Sequence, residues 1–306
     1  KLLADCYENI RRYVDYVDRT SPTGLTSWGR GDWVPVKSHS SKELTSSVYF
    51  YVDTKILANA AKMFNKTEDY KYYSALANKI KNAINDKFLN RETGIYGSGV
   101  QTEQSVPLQW GIVPEELKRK VARNLAKQVE AAGFHLDVGV LGAKAILNAL
   151  SENGEAETAY KLAAQDTYPS WGCWIANGAT TLLENWDLNA TRDISDNHMM
   201  FGEIGGWFYK GLGGIFPDPE NPGFKHILLR PNFPSGLNEF EARYQSPYGE
   251  ICSKWERKKN RIFYHVTVPA NSTATFYAPD NVKGERAVNL EAGEHILELL
   301  LLRSSK

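Results

Sequence analysis

The sequence has several deficits that each exclude a class of protein. It contains no run of eighteen apolar residues, so it predicts no transmembrane helix and no membrane partner. Its 36 Lys and Arg residues balance its 36 Asp and Glu residues, which removes the electrostatic reason to expect nucleic acid. Its three cysteines lack Cys-x-x-Cys spacing, and its six histidines are not at ligand spacing. We therefore predict neither a disulfide framework nor a metal site.

The fingerprints of common cofactor and nucleophile enzymes are missing as well. There is no P-loop, no Gly-x-Ser-x-Gly elbow and no dinucleotide fingerprint after a suitable strand, so no cofactor is predicted. The chain opens as KLLADCYENI, within a helical pattern, with neither Met nor a signal-type apolar stretch. We expect it to be a fragment of a longer protein. The compartment stays open between the periplasm, the exterior and the cytoplasm.

The remaining composition indicates a folded protein with many aromatic residues. Of its 306 residues, 42% are hydrophobic and 24% are charged, which is enough to build a core, and the length favours two domains. The 8 Trp and 16 Tyr residues suit core packing first. They also suit a carbohydrate site, because the flat C–H faces of sugars pack on indole rings.

The chain divides into a helical part and a β part. Residues 1–216 predict paired helices without intervening strands, and without an evident repeat, which favours an all-α toroid over a regular solenoid. Residues 217–306 follow a Pro-rich linker and alternate apolar and polar positions, which predicts an antiparallel β-sandwich. The expected helices cover residues 42–64, 67–88, 114–132, 139–150 and 155–165.

Four stretches of the helical part carry polar and aromatic residues near predicted helix ends. Each has a bland explanation, such as a helix cap or a hydrogen-bonding His, but in a toroid such loops converge on the central funnel. Since metal and cofactor chemistry are not indicated, glycoside chemistry remains. The stretches are TSWGRGDWVP (26–35), GIYGSGVQTEQSVPLQWGIVP (94–114), YPSWGCWIANGATTLLENWD (168–187) and SDNHMMFGEIGGWFYKGLGGI (195–215).

In this order, the motifs GRGDW, YGSGVQT, PSWGCWIANGATTLLENWD and DNHMMFGEIGGWFYKGLGGI resemble the bacterial α-L-rhamnosidases of glycoside hydrolase family 78. The resemblance implies part of an (α/α)6 barrel followed by a β-sandwich. It implies removal of terminal α-L-rhamnose from glycosides or polysaccharides by an inverting mechanism, with Glu184 as general base. It further implies that Trp33 and Trp171 contact the sugar and that His198 bonds a rhamnose hydroxyl. Asp32 lies in the same loop as Trp33 and is expected to bind substrate with it.

The sequence departs from this family at one functional point. The family's general acid lies in an Arg-x-Asp-Glu-Arg-type motif, which this chain does not contain. Glu43, Glu103 and Glu203 are not convincing replacements, so we expect the acid upstream of Lys1 and an isolated chain of low activity. Half a toroid would expose apolar faces, which leaves a homo-oligomer open.

Two alternatives also remain. One is an (α/α)6 glycosidase with a different sugar preference. The other is a non-catalytic protein that binds sugar or a missing N-terminal partner.

Overall fold

The computed structural model describes residues 1–302, in which helices precede strands. None of the described helices combines the length and apolar character that a membrane span requires. The helices are α1 (Leu2–Thr20), α2 (Lys42–Met63), α3 (Thr67–Phe88), α4 (Gln101–Gln109), α5 (Lys118–Ala131), α6 (Val140–Ser151), α7 (Ala156–Ala163), α8 (Trp171–Ala176) and α9 (Glu203–Trp207). Short 3₁₀ turns cover Glu115–Leu117 and Met199–Phe201, and a π-helical turn covers Phe208–Leu212.

The helices form two layers because their sequences differ in how apolar residues are spaced. In α3 and α5 the buried residues recur every three or four positions, which gives one apolar stripe and one solvated face. In α2 and α6 buried residues occur on all sides, and α4 is buried from Gln101 to Leu108. Accordingly α2, α4 and α6 form the inner layer, and α3, α5 and α7 pack outside them.

The inner helix α4 buries a polar sequence, QTEQS, that was predicted to be a helix start in one of the four stretches expected at the sugar site. Both polar ends of the Gln101 side chain bond backbone, at His135 O (3.0 Å) and Asp137 N (2.9 Å). Glu103 accepts from Ser41 N and Ser98 N, both at 2.7 Å. A buried polar group must find partners inside the protein, and these bonds tie three loops to α4. The polar residues of this stretch are therefore a structural network.

The β part is a sandwich of two sheets with an apolar interior. Strand β7 shows the reason most clearly, since Ile262, Tyr264, Val266 and Val268 are buried at alternate positions. Sheet order is β10-β8-β4-β3 in one layer and β5-β6-β7-β11-β9 in the other. These strands are β3 (Ile215–Pro217), β4 (His226–Leu229), β5 (Glu239–Ser246), β6 (Gly249–Lys258), β7 (Arg261–Val268), β8 (Thr273–Tyr277), β9 (Val282–Lys283), β10 (Ala287–Leu290) and β11 (Gly293–Leu301), and a separate hairpin pairs β1 (Leu89–Asn90) with β2 (Ile95–Tyr96).

The predicted fold class is confirmed. The β1–β2 hairpin stands between α3 and α4, although the sequence predicted paired helices without intervening strands. Two further differences concern the β part. Strand β4 pairs in parallel with β8, although the sequence pattern predicted antiparallel strands throughout. The first strand of the sandwich begins at Ile215, slightly before the predicted change at residue 217. Alternation of apolar residues identifies a strand but carries no information about the direction of its neighbour, which explains the first difference.

The glycine-rich segment at the junction is explained by close packing. A Cβ on Gly211 would collide with the indole of Trp207, and one on Gly214 would collide with the backbone at Pro231. Gly214 also has a φ of 69°, which favours glycine. Because these glycines have no side chains, the β part can approach the turn closely, and Ser253 Oγ donates a hydrogen bond to Gly213 O at 2.6 Å. Gly205 has open space around its Cα, and nothing in its surroundings explains it.

Candidate active site

A cavity of about 510 Å³ opens between α1, α2 and three loops of the helical part. This volume falls within the range of ordinary small-ligand sites. It is lined by residues from three of the four stretches that the sequence singled out. The lining residues are Tyr13, Val17, Thr26, Trp28, Gly29, Arg30, Gly31, Trp33, Thr45, Ser46, Tyr49, Phe50, Asp53, Val140, Leu141, Glu184, His198 and Met200.

Glu184 lies in an extended loop and presents its carboxylate to this cavity. The main-chain N–H of Glu184 donates to Ser195 O at 2.9 Å, and Ser195 N–H donates back to Glu184 Oε2 at 3.1 Å. One carboxylate oxygen is thus fixed by backbone. The other, Oε1, lies 4.0 Å from Nε2 of His198. The Glu184 side chain is 20% exposed, which leaves it reachable from the cavity.

His198 is positioned by one bond of its main chain and one of its ring. The main-chain N–H of His198 donates to Leu182 O at 2.9 Å, and the ring Nδ1 accepts from Met200 N–H at 3.2 Å as the cap of a 3₁₀ turn. A ring nitrogen that accepts a hydrogen bond carries no proton in the neutral imidazole, so the proton lies on Nε2. The Nε2–H donor is therefore the one near Glu184.

The tryptophans around Glu184 are core residues that support its loop from behind. Trp174 and Trp186 stack at 4.9 Å between ring centroids, and Trp171 packs edge-on to Trp186 at 5.3 Å. Each indole N–H bonds a backbone oxygen, namely Trp171 to Phe201, Trp174 to Trp186, and Trp186 to Val138. Three rings with no free polar edge make a rigid apolar base for the loop.

Trp171 does not lie where a sugar-contacting residue is expected. The side chain is only 4% exposed, its N–H is already bonded, and it is absent from the cavity that holds Glu184. The position therefore does not support direct sugar contact by Trp171. The sequence could not separate this indole from Trp33, because both lie within two residues of a Gly in stretches that lead into the same region.

Asp32 and Trp33 belong to one loop but face opposite ways. Asp32 turns away from the cavity and accepts hydrogen bonds from Thr102 Oγ1 (2.5 Å) and from the N–H groups of Gly139 (2.8 Å), Leu141 (2.7 Å) and Gly142 (3.1 Å). These N–H groups begin helix α6, so Asp32 caps that helix from a distant loop. Burial raises the pKa of the Asp32 carboxyl, and these hydrogen bonds oppose the rise.

The Asp32 cap brings Trp33 to the cavity wall. Trp33 O accepts from Val140 N–H at 2.9 Å, beside the capped turn of α6, and its ring lines the cavity together with Val140 and Leu141. Both oxygens of Asp32 are occupied by protein donors. This loop thus contributes the Trp33 ring to the cavity, while the Asp32 carboxylate bonds groups of the protein itself.

Sequence analysis missed three residues that line the same cavity: Trp28, Arg30 and Asp53. Trp28 is 63% exposed and packs against Tyr13 at 5.9 Å between ring centroids. Burial raises the pKa of the Asp53 carboxyl, opposed by the nearby Tyr13 hydroxyl. Trp28 and Arg30 stood in a stretch that was singled out and could have been named. Asp53 carries no local signal, because it lies inside helix α2.

The three glutamates that were weighed as a second catalytic carboxyl all lie away from Glu184. Glu43 pairs with Lys87 at 2.6 Å, and the Glu103 carboxylate accepts hydrogen bonds from Ser41 N–H and Ser98 N–H. Glu203 accepts from Asn148 at 3.0 Å and from Lys210 at 3.1 Å. Within residues 1–302, no three His, Cys, Asp or Glu side chains converge in a way that could hold a metal ion.

Paired helices in two layers, with a carboxylate-bearing cavity beside the inner helices, define the class of six-hairpin glycosidase domains. Residues 1–212 match the family model of the bacterial alpha-L-rhamnosidase 6 hairpin glycosidase domain, and residues 214–293 match that of the bacterial alpha-L-rhamnosidase C-terminal domain. The chain therefore belongs to the bacterial α-L-rhamnosidase family.

Similar proteins of known structure and name carry the same description. A structure of α-L-rhamnosidase from Dictyoglumus thermophilum is 32% identical with a TM-score of 0.88, covering 97% of this chain and 37% of that one. One from Streptomyces avermitilis, complexed with L-rhamnose, is 27% identical with a TM-score of 0.83, covering 98% and 30%. An α-L-rhamnosidase of Formosa agariphila is 29% identical over 320 residues, which span 100% of this chain and 34% of the relative. The chain thus spans about a third of the length of the curated relatives it matches.

Proposed function

We propose that the protein hydrolyses terminal α-L-rhamnosyl groups of glycosides or polysaccharides, with Glu184 as the general base of an inverting reaction. The observation that carries this proposal is the Glu184 carboxylate at the cavity wall, with one oxygen fixed by Ser195 N–H and the other beside His198 Nε2. Membership of the α-L-rhamnosidase family and the L-rhamnose complex of the Streptomyces avermitilis relative support rhamnose as the sugar.

In the proposed reaction, ionised Glu184 removes a proton from a water molecule as that water attacks the anomeric carbon. The new C–O bond forms on the face opposite the leaving group, and the glycosidic bond breaks with its electron pair going to the aglycone oxygen. That oxygen takes a proton from a general acid, and inverting enzymes place the two carboxyl groups roughly 6.5–9.5 Å apart to admit the water. Glu43, Glu103 and Glu203 are engaged elsewhere, so we assign the acid to none of them.

Each remaining residue of the site has a distinct proposed role. Trp33 offers an aromatic face to the sugar, and the Nε2–H of His198 donates to a rhamnose hydroxyl. Asp32 is a positioning residue, because it holds the Trp33 loop on helix α6 without reaching the cavity. Trp171 supports the Glu184 loop through Trp186.

The direct test is hydrolysis of an aryl α-L-rhamnoside, followed by proton NMR of the first sugar released. We expect β-L-rhamnose to appear first and to mutarotate afterwards, because inversion converts an α-linkage to the β-anomer. Both this chain and the full-length product of its gene should be assayed. Release of α-L-rhamnose first would overturn the inverting mechanism, and cleavage of a different aryl glycoside alone would overturn the sugar assignment. Binding of L-rhamnose without turnover in either protein would indicate a non-catalytic role.

Replacement of His198 by Ala separates its binding role from its structural one. We expect the Kd for L-rhamnose to rise about tenfold, the value of one hydrogen bond to a sugar hydroxyl, while the melting temperature changes little. Titration calorimetry and thermal melts measure the two effects. The matched control is Asn197→Ala, since Asn197 is the exposed neighbour of His198 in the same loop. A large loss of stability with unchanged Kd would show that His198 serves only as the 3₁₀ cap.

A further inference from the structure

Arg30 is a cavity-lining cation that no acidic residue of the described chain neutralises. It forms no salt bridge or side-chain hydrogen bond within residues 1–302, whereas seven of the thirteen arginines in that range pair with Asp or Glu. Its guanidinium carbon lies 5.2 Å from the ring centroid of Trp33, so the plane is held against the indole. This leaves the N–H donors at the edge of the guanidinium free to bind an anion.

The backbone around Arg30 fixes the position of this side chain. Gly29 has a φ of 143° and Gly31 a φ of 80°, conformations that other residues rarely adopt. A Cβ on Gly29 would also press on Ser46 Oγ at 3.0 Å. Two glycines and the stacked indole therefore hold an unpaired cation at one place on the cavity wall.

The same part of the cavity offers a surface for a second sugar ring. Trp28 is 63% exposed, lines the cavity beside Arg30 and is supported by Tyr13. An exposed, supported indole next to an unpaired guanidinium provides both stacking and charge recognition. Neither residue is needed to hold the loop, since Asp32 already anchors it to α6.

Arg30 determines whether an anionic ligand can bind, because the other charged groups that face the cavity include two carboxylates. They are Glu184, Asp53 and, when protonated, His198. An anionic ligand would be repelled by the two carboxylates, so it can bind only where Arg30 compensates. A neutral ligand has no such requirement.

We infer that Trp28 and Arg30 form a subsite for the sugar linked to the terminal rhamnose, and that this sugar carries an anionic group, either a carboxylate or a sulfate. The inference rests on the proposed function, because it places rhamnose at Glu184 and the anionic sugar beyond it. Arg30 is thereby a specificity-determining residue.

The test compares three rhamnosyl disaccharides that differ only in the second sugar: methyl glycosides of rhamnosyl-glucuronic acid, of rhamnosyl-glucose and of rhamnosyl-glucose carrying a sulfate. Binding is titrated in a Glu184→Gln background to prevent turnover. In Arg30→Gln we expect the Kd of one or both anionic disaccharides to rise about 10- to 100-fold, with less than a twofold change for the neutral one. The anionic disaccharide whose Kd rises in Arg30→Gln shows whether the subsite binds the carboxylate or the sulfate. Arg30→Lys should restore part of the loss, and the effect should shrink as salt is added.

The control variant is Arg12→Gln, which removes the same charge from an exposed position on α1 outside the cavity. An equal loss for neutral and anionic disaccharides in Arg30→Gln would overturn the inference. Equal affinity of the parent protein for all three, unchanged in Arg30→Gln, would overturn it as well. Failure of the proposed function would give a different result, namely no hydrolysis of the aryl α-L-rhamnoside. The Kd values of the three disaccharides could still be measured and compared in that case.

Discussion

Glu184→Gln is expected to lower kcat for an aryl α-L-rhamnoside by about 10²–10⁴-fold while L-rhamnose still binds. The amide has nearly the same shape and can still accept from Ser195 N–H, but it cannot take a proton from water. Loss of turnover with retained binding is the signature of a group that acts in the transition state. The measurements are steady-state kinetics and a titration with L-rhamnose, in whichever form of the protein is active.

The matched control for Glu184→Gln is Asp196→Asn. Asp196 is an exposed carboxylate in the loop that pairs with the Glu184 segment, and its side chain does not line the cavity. The kcat of the Asp196→Asn variant should stay within a factor of two of the parent value. A Glu184→Gln variant with near-normal kcat would remove Glu184 from the reaction.

Asp32→Ala is expected to have the largest effect on stability, lowering the free energy of unfolding by about 3 kcal/mol. The substitution removes a remote helix cap and leaves the enclosed N–H groups of Gly139, Leu141 and Gly142 without acceptors. A loss of this size corresponds to a melting temperature lower by roughly 5–10 °C. Thermal and chemical denaturation measure it.

Asp86→Ala is the comparison for Asp32→Ala, because Asp86 is an exposed residue in the last turn of α3. It should change stability by less than about 0.5 kcal/mol. If Asp32→Ala kept its stability but lost sugar binding, Asp32 would be a substrate-binding residue, as the sequence predicted, and its helix-capping bonds would be unimportant.

The sequence predicted most of the architecture because the decisive signals are local. Helix α3 is marked by a spacing of three to four residues between its buried positions over twenty-two residues, and β7 by strict alternation. The site was predicted less completely. Glu184 and His198 were found because their motifs are specific, and the structure brings both to one cavity.

The differences between the expected and the observed side-chain positions have one physical cause, which is that side-chain direction depends on distant partners. Asp32 and Trp33 are adjacent in sequence, yet one faces α6 and the other faces the cavity. Trp171 and Trp33 both belong to stretches that the sequence singled out, but Trp171 packs edge-on against Trp186 and is buried. Asp53 was missed because a helix interior gives no sign of which face lines a cavity.

The bonds of Asp32 also bear on when the cavity forms as the chain folds. They join residues separated by 70 positions at Thr102 and by 107–110 positions at Gly139, Leu141 and Gly142. Contacts between distant residues require large loops to close, so they form after the local helix pairs. The wall that carries Arg30 and Trp33 is therefore completed late: Asp32 can bond Thr102 once α4 has been made, but its three backbone partners exist only after the start of α6 has followed. The loop between α1 and α2 consequently reaches its full set of Asp32 bonds only after the chain has been made through Gly142.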